Sequence, residues 1–189
     1  MPLFIGFIPT PEEEIDSFFD LAPVSSKDVV YDLGSGDGRL LFAALEKGAG
    51  KAVGIDLNPW QIARAREKAA SQGWQEKITF LESDVMEVNL SSATVILCYL
   101  FTTASRALKS KLEADLKPGT RVVMESFPVP GWKPVATTPR GYKQFYLYIM
   151  PPETVAEIPA DLTDYSEFEW LMSQGGYYMM PDSEYPFIT

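Results

Sequence analysis

This sequence predicts a three-layer α/β domain, a mostly parallel sheet with helices on both faces. Three observations carry that expectation. Short apolar runs alternate with helical patterns through most of the chain. The first of these runs, Val29–Leu33, leads straight into a loop holding Gly34, Gly36 and Gly38. At 189 residues and 46% apolar content, the chain has enough material for one core.

An N-terminal helix is expected to start at Thr10-Pro11-Glu12-Glu13. Thr10 serves as N-cap, Pro11 takes the first helical position and Glu13 closes a capping box. Ile15, Phe18 and Phe19 give this helix its apolar side. Strand one is Val29–Leu33. The helix after the glycine loop carries Leu40, Leu41, Ala44 and Leu45 and stops at Gly48. Strand two runs from Ala52 to Asp56, and Asn58-Pro59 caps a helix that reaches Gly73. Strand three is Ile78–Leu81 and strand four is Ala93–Tyr99. A helix from about Thr103 to Leu116 follows, then a Pro118-Gly119 turn and strand five, Arg121–Ser126. After the loop PVPGWKP, a short strand near Val135 and a strong one at Gln144–Met150 are expected to pair antiparallel.

The bulk properties exclude several classes. Histidine is absent, which removes the commonest general base and metal ligand. Cys98 stands alone, so no internal disulfide and no metal-spacing cluster is expected, and a small core residue is the simplest reading of it. No basic leader precedes the first apolar run and no stretch approaches a membrane span, so a cytoplasmic protein is expected. Residues 1–150 hold all 16 basic residues against 18 acids, whereas residues 151–189 hold eight acids and no basic residue. The body is nearly neutral and the tail acidic, which argues against nucleic acid as a partner.

The glycine loop is the chemical centre. Three close glycines let a backbone turn sharply and approach a ligand. A dinucleotide site has the spacing G-x-G-x-x-G; here it is G-x-G-x-G, and Arg39 occupies the last glycine's place. Asp32, just before the loop, would repel a pyrophosphate but suits a cofactor with a cationic end. S-adenosyl-L-methionine carries an ammonium and a sulfonium. Asp56, ending strand two, suits the two hydroxyls of a ribose. Asp84, after strand three, suits an adenine amino group, with Val85 or Met86 packing on the ring. Leu57 completes this cofactor set. Tyr99 and Leu100 end strand four, where such sheets present their reactive edge.

Together these residues resemble the class I S-adenosylmethionine-dependent methyltransferases over about residues 28–150. Narrower motifs, FIPTPEE, YDLGSGDGR, the Tyr99-Leu100 pair, LKPGTRVV and FPVPGWKP, resemble bacterial relatives of the lysine methyltransferases acting on ATP synthase c subunit and adenine nucleotide translocase. That family is distantly similar to histone methyltransferases of the Dot1 type. The resemblance implies a Rossmann-like, mostly parallel seven-stranded sheet with a C-terminal antiparallel strand, and S-adenosyl-L-homocysteine as product. It implies that Asp32, Gly34, Gly36 and Gly38 hold the methionine end, Asp56 the ribose and Asp84 the adenine side. It also implies that the Phe7–Thr10 segment folds over the cofactor near its methyl. Phe7 stands where relatives usually have tyrosine, and Met124-Glu125-Ser126-Phe127 replaces their usual Ser-His-x-Phe.

The function expected is methyl transfer to a protein lysine, with Tyr99 and Glu125 as candidate catalytic residues and no metal. Phe7, Tyr99 and Phe127 would line the acceptor pocket. A small-molecule methyltransferase and a non-catalytic cofactor-binding scaffold or sensor are the alternatives. Residues 1–150 are expected to form the catalytic domain and residues 151–189 an acidic aromatic extension with a short helix at about 161–173. Nothing in the chain indicates an oligomeric state.

Overall fold

The computed structural model describes residues 9–100, 102–140 and 143–156. Phe7, the expected helix at 161–173 and the remainder of the acidic tail lie outside the described residues. Four helices are described: α1 (Glu12–Leu21), α2 (Arg39–Glu46), α3 (Pro59–Ser71) and α4 (Thr102–Asp115). The strands are β1 (Val29–Leu33), β2 (Lys51–Asp56), β3 (Ile78–Glu82), β4 (Val95–Cys98), β5 (Arg121–Glu125), β6 (Trp132–Lys133), β7 (Ala136–Arg140), β8 (Lys143–Ile149) and β9 (Glu153–Thr154). A single 3-10 turn, Val85–Glu87, follows β3.

Seven strands form one sheet in the order β3-β2-β1-β4-β5-β8-β7. The first five are parallel to one another; β8 runs antiparallel to β5 and β7 antiparallel to β8. The expected antiparallel pair therefore forms, and it closes one side of the sheet. A separate two-stranded ribbon, β6 with β9, was not foreseen; it joins Trp132 to Thr154 and Lys133 to Glu153. The chain leaves β1 to one side for β2 and β3, and to the other for β4 and β5. A parallel sheet that reverses direction in this way opens a crevice beyond its strand C-termini.

Strand alternation sorts the core into two faces. Val30, Leu97, Val123 and Phe145 point to the face covered by α1, α2 and α3, where they meet Phe18, Leu41 and Ile62. Tyr31, Leu33, Ile96, Val122 and Tyr148 point to the opposite face with Leu108 and Leu112 of α4. The rings of Phe18 and Phe145 meet edge-on at 5.1 Å, pinning α1 to β8. Such a pair contributes about 0.5–1.5 kcal/mol beyond its buried area. The same alternation, carried to the strand ends, places Asp32, Tyr99, Glu125 and Lys143 on the α1 side of the sheet edge.

The N-terminus of α1 differs from expectation. Pro11 is the N-cap, its carbonyl accepts from the Glu14 N–H at 3.0 Å, and no side chain caps the helix. Thr10 is one residue too early to reach the first helical N–H groups, and its hydroxyl turns into the sheet edge instead. The α3 cap forms as expected: Asn58 Oδ1 accepts from the N–H groups of Trp60 (3.0 Å) and Gln61 (3.4 Å).

Candidate functional site

The glycine loop is held by the end of β2. The N–H groups of Gly34 and Ser35 donate to the Ile55 carbonyl at 2.8 and 3.0 Å, and Gly36 N–H donates to Asp56 Oδ2 at 2.8 Å. Gly34, Gly36 and Gly38 have φ of 85°, 49° and 78°, all in the left-handed region that glycine adopts without strain. A Cβ on Gly38 would lie 2.6 Å from the Phe80 ring, so this turn also needs the absence of a side chain. The loop thus presents bare backbone at the mouth of the crevice.

Asp32 is the penultimate residue of β1, just before the loop, and is 3% exposed. Burial drives its pKa well above the usual carboxylate range, and the charges of Asp56, Asp37 and Glu125 raise it further. A buried carboxylate whose influential neighbours are all acidic is a site for a cation. The ammonium and sulfonium of S-adenosylmethionine supply that charge, so the donor set fits this cofactor.

Two other predicted cofactor residues hold more than the sequence suggested. Asp56 uses Oδ2 for the glycine loop and Oδ1 for the Asn58 N–H at 2.8 Å. It latches the loop to the end of β2, and the remaining lone pairs of its oxygens are what it offers a ribose. Asp84 caps the 3-10 turn, Oδ1 accepting from Met86 N–H at 2.9 Å. Of the two residues expected to pack on an adenine, Val85 is half-buried with one side against the core, and Met86 is 48% exposed. Leu57 is 55% exposed at the end of β2. Leu57 and Met86 leave apolar surface beside Asp56 and Asp84, where a flat ring would be covered.

The other half of the edge is a charged cluster. Glu125 is fully buried and accepts from Thr10 Oγ1 and Lys143 Nζ. Lys143 Nζ also pairs with Glu14 Oε2 at 2.8 Å and lies 4.9 Å from the centre of the Tyr99 ring. Tyr99 stacks on Phe127 at 6.4 Å with planes 8° apart, so two of the three expected pocket aromatics come together. Burial raises the Glu125 carboxyl, while Lys143 and Thr10 pull it partly back. Burial alone would lower the Lys143 ammonium, but Glu125 and Glu14 more than offset this and hold it above an ordinary lysine. Just beyond Glu125, Ser126 has φ 64°, a strained conformation for a residue with a side chain. Its N–H donates to the Gln144 carbonyl at 2.8 Å, which ties the turn to β8.

Thr10 joins the two halves. Its hydroxyl serves Glu125, and its carbonyl accepts from Arg39 Nη1 at 2.8 Å. Arg39 in turn forks onto Asp37 of the glycine loop, with Nη2 to Oδ2 at 2.7 Å. Burial would raise the Asp37 carboxyl, but the Arg39 hydrogen bonds and charge hold it below its ordinary value. Cys98 is buried and its thiol is pushed up, by burial first and then by Asp32 and Glu125, which suits a core residue and not a nucleophile.

Lys143 and Glu14 escaped the sequence reading. One signal was available for Lys143: it shares the alternation of Phe145 and Leu147, which put a lysine on an apolar face. Such a lysine must find an anion. Glu14 carried no comparable signal, being one of three acids in a row.

The model of the ANTKMT methyltransferase domain matches residues 32–136. A protein-lysine N-methyltransferase of Saccharolobus islandicus is 40% identical over 131 residues, 69% of this chain and 81% of that protein. The adenine nucleotide translocase lysine N-methyltransferase of Mus musculus is 37% identical over 119 residues, 63% of this chain but only 52% of the mouse protein. Among solved structures, an RNA methyltransferase from Salinibacter ruber in complex with S-adenosyl-L-homocysteine superposes with a TM-score of 0.74. It is 35% identical and covers 82% of this chain and 99% of its own.

Proposed function

Because this chain belongs to the ANTKMT methyltransferase domain family, we propose that it transfers the methyl group of S-adenosyl-L-methionine to the side-chain amine of a lysine in another protein. The observation that carries the acceptor is the Lys143 ammonium itself. An alkylammonium already rests against Glu125, Glu14 and the Tyr99 ring. An edge of this chemistry suits a lysine and repels a phosphate backbone. Two relatives named as lysine methyltransferases support the same reading.

When bound, the cofactor supplies a methyl group on a sulfonium, so the acceptor amine gains a carbon bond as the sulfur–carbon bond breaks. The chain's own work is alignment and exclusion of water. Asp32 and the glycine loop would hold the methionine end, Asp56 the ribose and Asp84 the adenine side, with Leu57 and Met86 against the ring. Tyr99 and Phe127 would flank the acceptor's aliphatic stem. Taking the amine out of water lowers its pKa and exposes its lone pair. Glu125 would orient that amine. Phe7 belongs to this proposal through the segment it shares with Thr10. The cytoplasmic setting is proposed as well, and subcellular fractionation tests it.

The Salinibacter ruber relative favours a second reading, methylation of RNA. Incubation with methyl-labelled cofactor and host lysate separates the two. Label in a protein band, mapped by mass spectrometry to a lysine, is the expected result. Label confined to ribonuclease-sensitive material would replace the lysine reading, and label only in small molecules would overturn both.

A further inference from the structure

Glu125 lies at the end of β5 with no solvent access, among acids from two directions: Glu14 of α1 and Asp32 of β1. A carboxylate in such a place loses its charge unless a cation is built beside it. Among the described residues, the groups around it are Thr10 from the segment before α1, Glu14 from α1, Asp32 from β1, Cys98 and Tyr99 from the end of β4, and Lys143 from β8. Of these only Lys143 is cationic. Its Nζ touches Glu125 Oε1, while its own side chain is 4% exposed.

We propose that Lys143 is a positioning residue for methyl transfer: by pairing with Glu125 it keeps a charged carboxylate in place at the acceptor edge of the sheet. This rests on the reading of Glu125 as the group that orients the acceptor amine. Lys143 acts through Glu125 and does not itself take the methyl group. Held between two carboxylates it remains an ammonium, and an ammonium has no lone pair to attack a methyl carbon. The pair also serves geometry. Lys143 bridges Glu14 of α1 and Glu125 of β5, and Thr10 closes the same cluster, so the helix and the segment leading into it are set against the edge.

The test compares pH–rate profiles of the wild type, Lys143→Met, Glu125→Gln and the double variant. Without Lys143, burial and the acids around Glu125 drive a proton onto it at neutral pH. Lys143→Met is expected to lose about tenfold or more in kcat/KM near pH 7 and to recover as pH rises. Its acidic limb should move up by about one pH unit or more relative to the wild type, whose acceptor lysine titrates in common. Glu125→Gln and the double variant should be low at every pH. A Lys143→Met limb that coincides with the wild type, whatever the overall rate, overturns the proposal and leaves Lys143 a packing residue. Where methionine prevents folding, Lys143→Gln keeps a hydrogen bond without the charge and should show the same displacement. The two readings fail separately: wild-type rates in Glu125→Gln would remove the role of Glu125 itself, whereas an impaired Glu125→Gln with an unmoved Lys143→Met limb removes only the present inference.

Discussion

At the β1–β3 end of the sheet, Asp56 and Asp84 are held by backbone N–H groups, each by one two residues on, and Asp56 also by Gly36, 20 residues before it. At the β4–β5–β8 end, Glu125 is held by side chains 115 and 18 residues away along the chain. The β1–β3 end, proposed to hold the cofactor, uses neutral backbone donors, which do not depend on the identity of any one side chain elsewhere in the protein. The acceptor half is a charge cluster assembled from distant segments, and its energy depends on every member being present. Buried pairs of this kind contribute little over an apolar packing of the same shape, yet breaking one member leaves an uncompensated charge. The cofactor half should therefore fail by losing affinity, and the acceptor half by losing stability together with rate.

The largest expected effect is on stability at the acceptor half. Lys143→Met should destabilise the fold by about 3–5 kcal/mol, because Glu125 stays buried without its cation. Adding Glu125→Gln should recover most of that loss in denaturant unfolding, since neither charge then remains. If the double variant is no more stable than the single, the cluster is not held by charge and the contrast with the cofactor half collapses.

Gly38→Ala tests the opposite half by geometry. A left-handed φ costs about 1–2 kcal/mol for a residue with a Cβ. The clash with Phe80 adds roughly 1–3 kcal/mol of overpacking. The unfolding midpoint should fall and cofactor affinity should fall with it, because the bare backbone of the loop is displaced. A variant with normal affinity would show that the loop does not face the cofactor.

Asp32→Asn separates stability from function. An acid whose folded pKa is raised above its unfolded value destabilises the fold as pH rises from the unfolded towards the folded value, since the folded form keeps a proton that the unfolded chain releases. At neutral pH the asparagine removes this penalty, so the cofactor-free protein should melt higher. Cofactor affinity, by calorimetry, should drop by about 1.5–3 kcal/mol, the worth of hydrogen bonds to a charged group. A lower melting temperature would mean that Asp32 is paired in a way the acids around it do not suggest.

Asp56→Ala is the smallest. It removes a latch and a candidate ribose contact, and affinity for S-adenosylmethionine and S-adenosylhomocysteine should weaken by about 1–3 kcal/mol. Unchanged affinity would refute the ribose assignment and show that the latch is dispensable for binding.

The sequence by itself determined the alternating elements, the positions of β1–β5 to within two residues at either end, the antiparallel pair and the glycine turn that follows β1. These features come from local rules: apolar period, glycine conformation, the Asn58 cap, and an acid at the end of a strand. A few adjacent residues state each of them completely. It also misread Thr10 as a helix cap, because Ser and Thr at such positions usually satisfy the first turn. Only the tertiary structure decided that this hydroxyl turns to Glu125, that Arg39 links it to Asp37, and that Lys143 and Glu14 complete the cluster. The reason is physical. A buried charge has no local partner rule; what neutralises it depends on which strand of the sheet lies next to which, and that order, β1-β4-β5-β8, is a property of the folded chain alone.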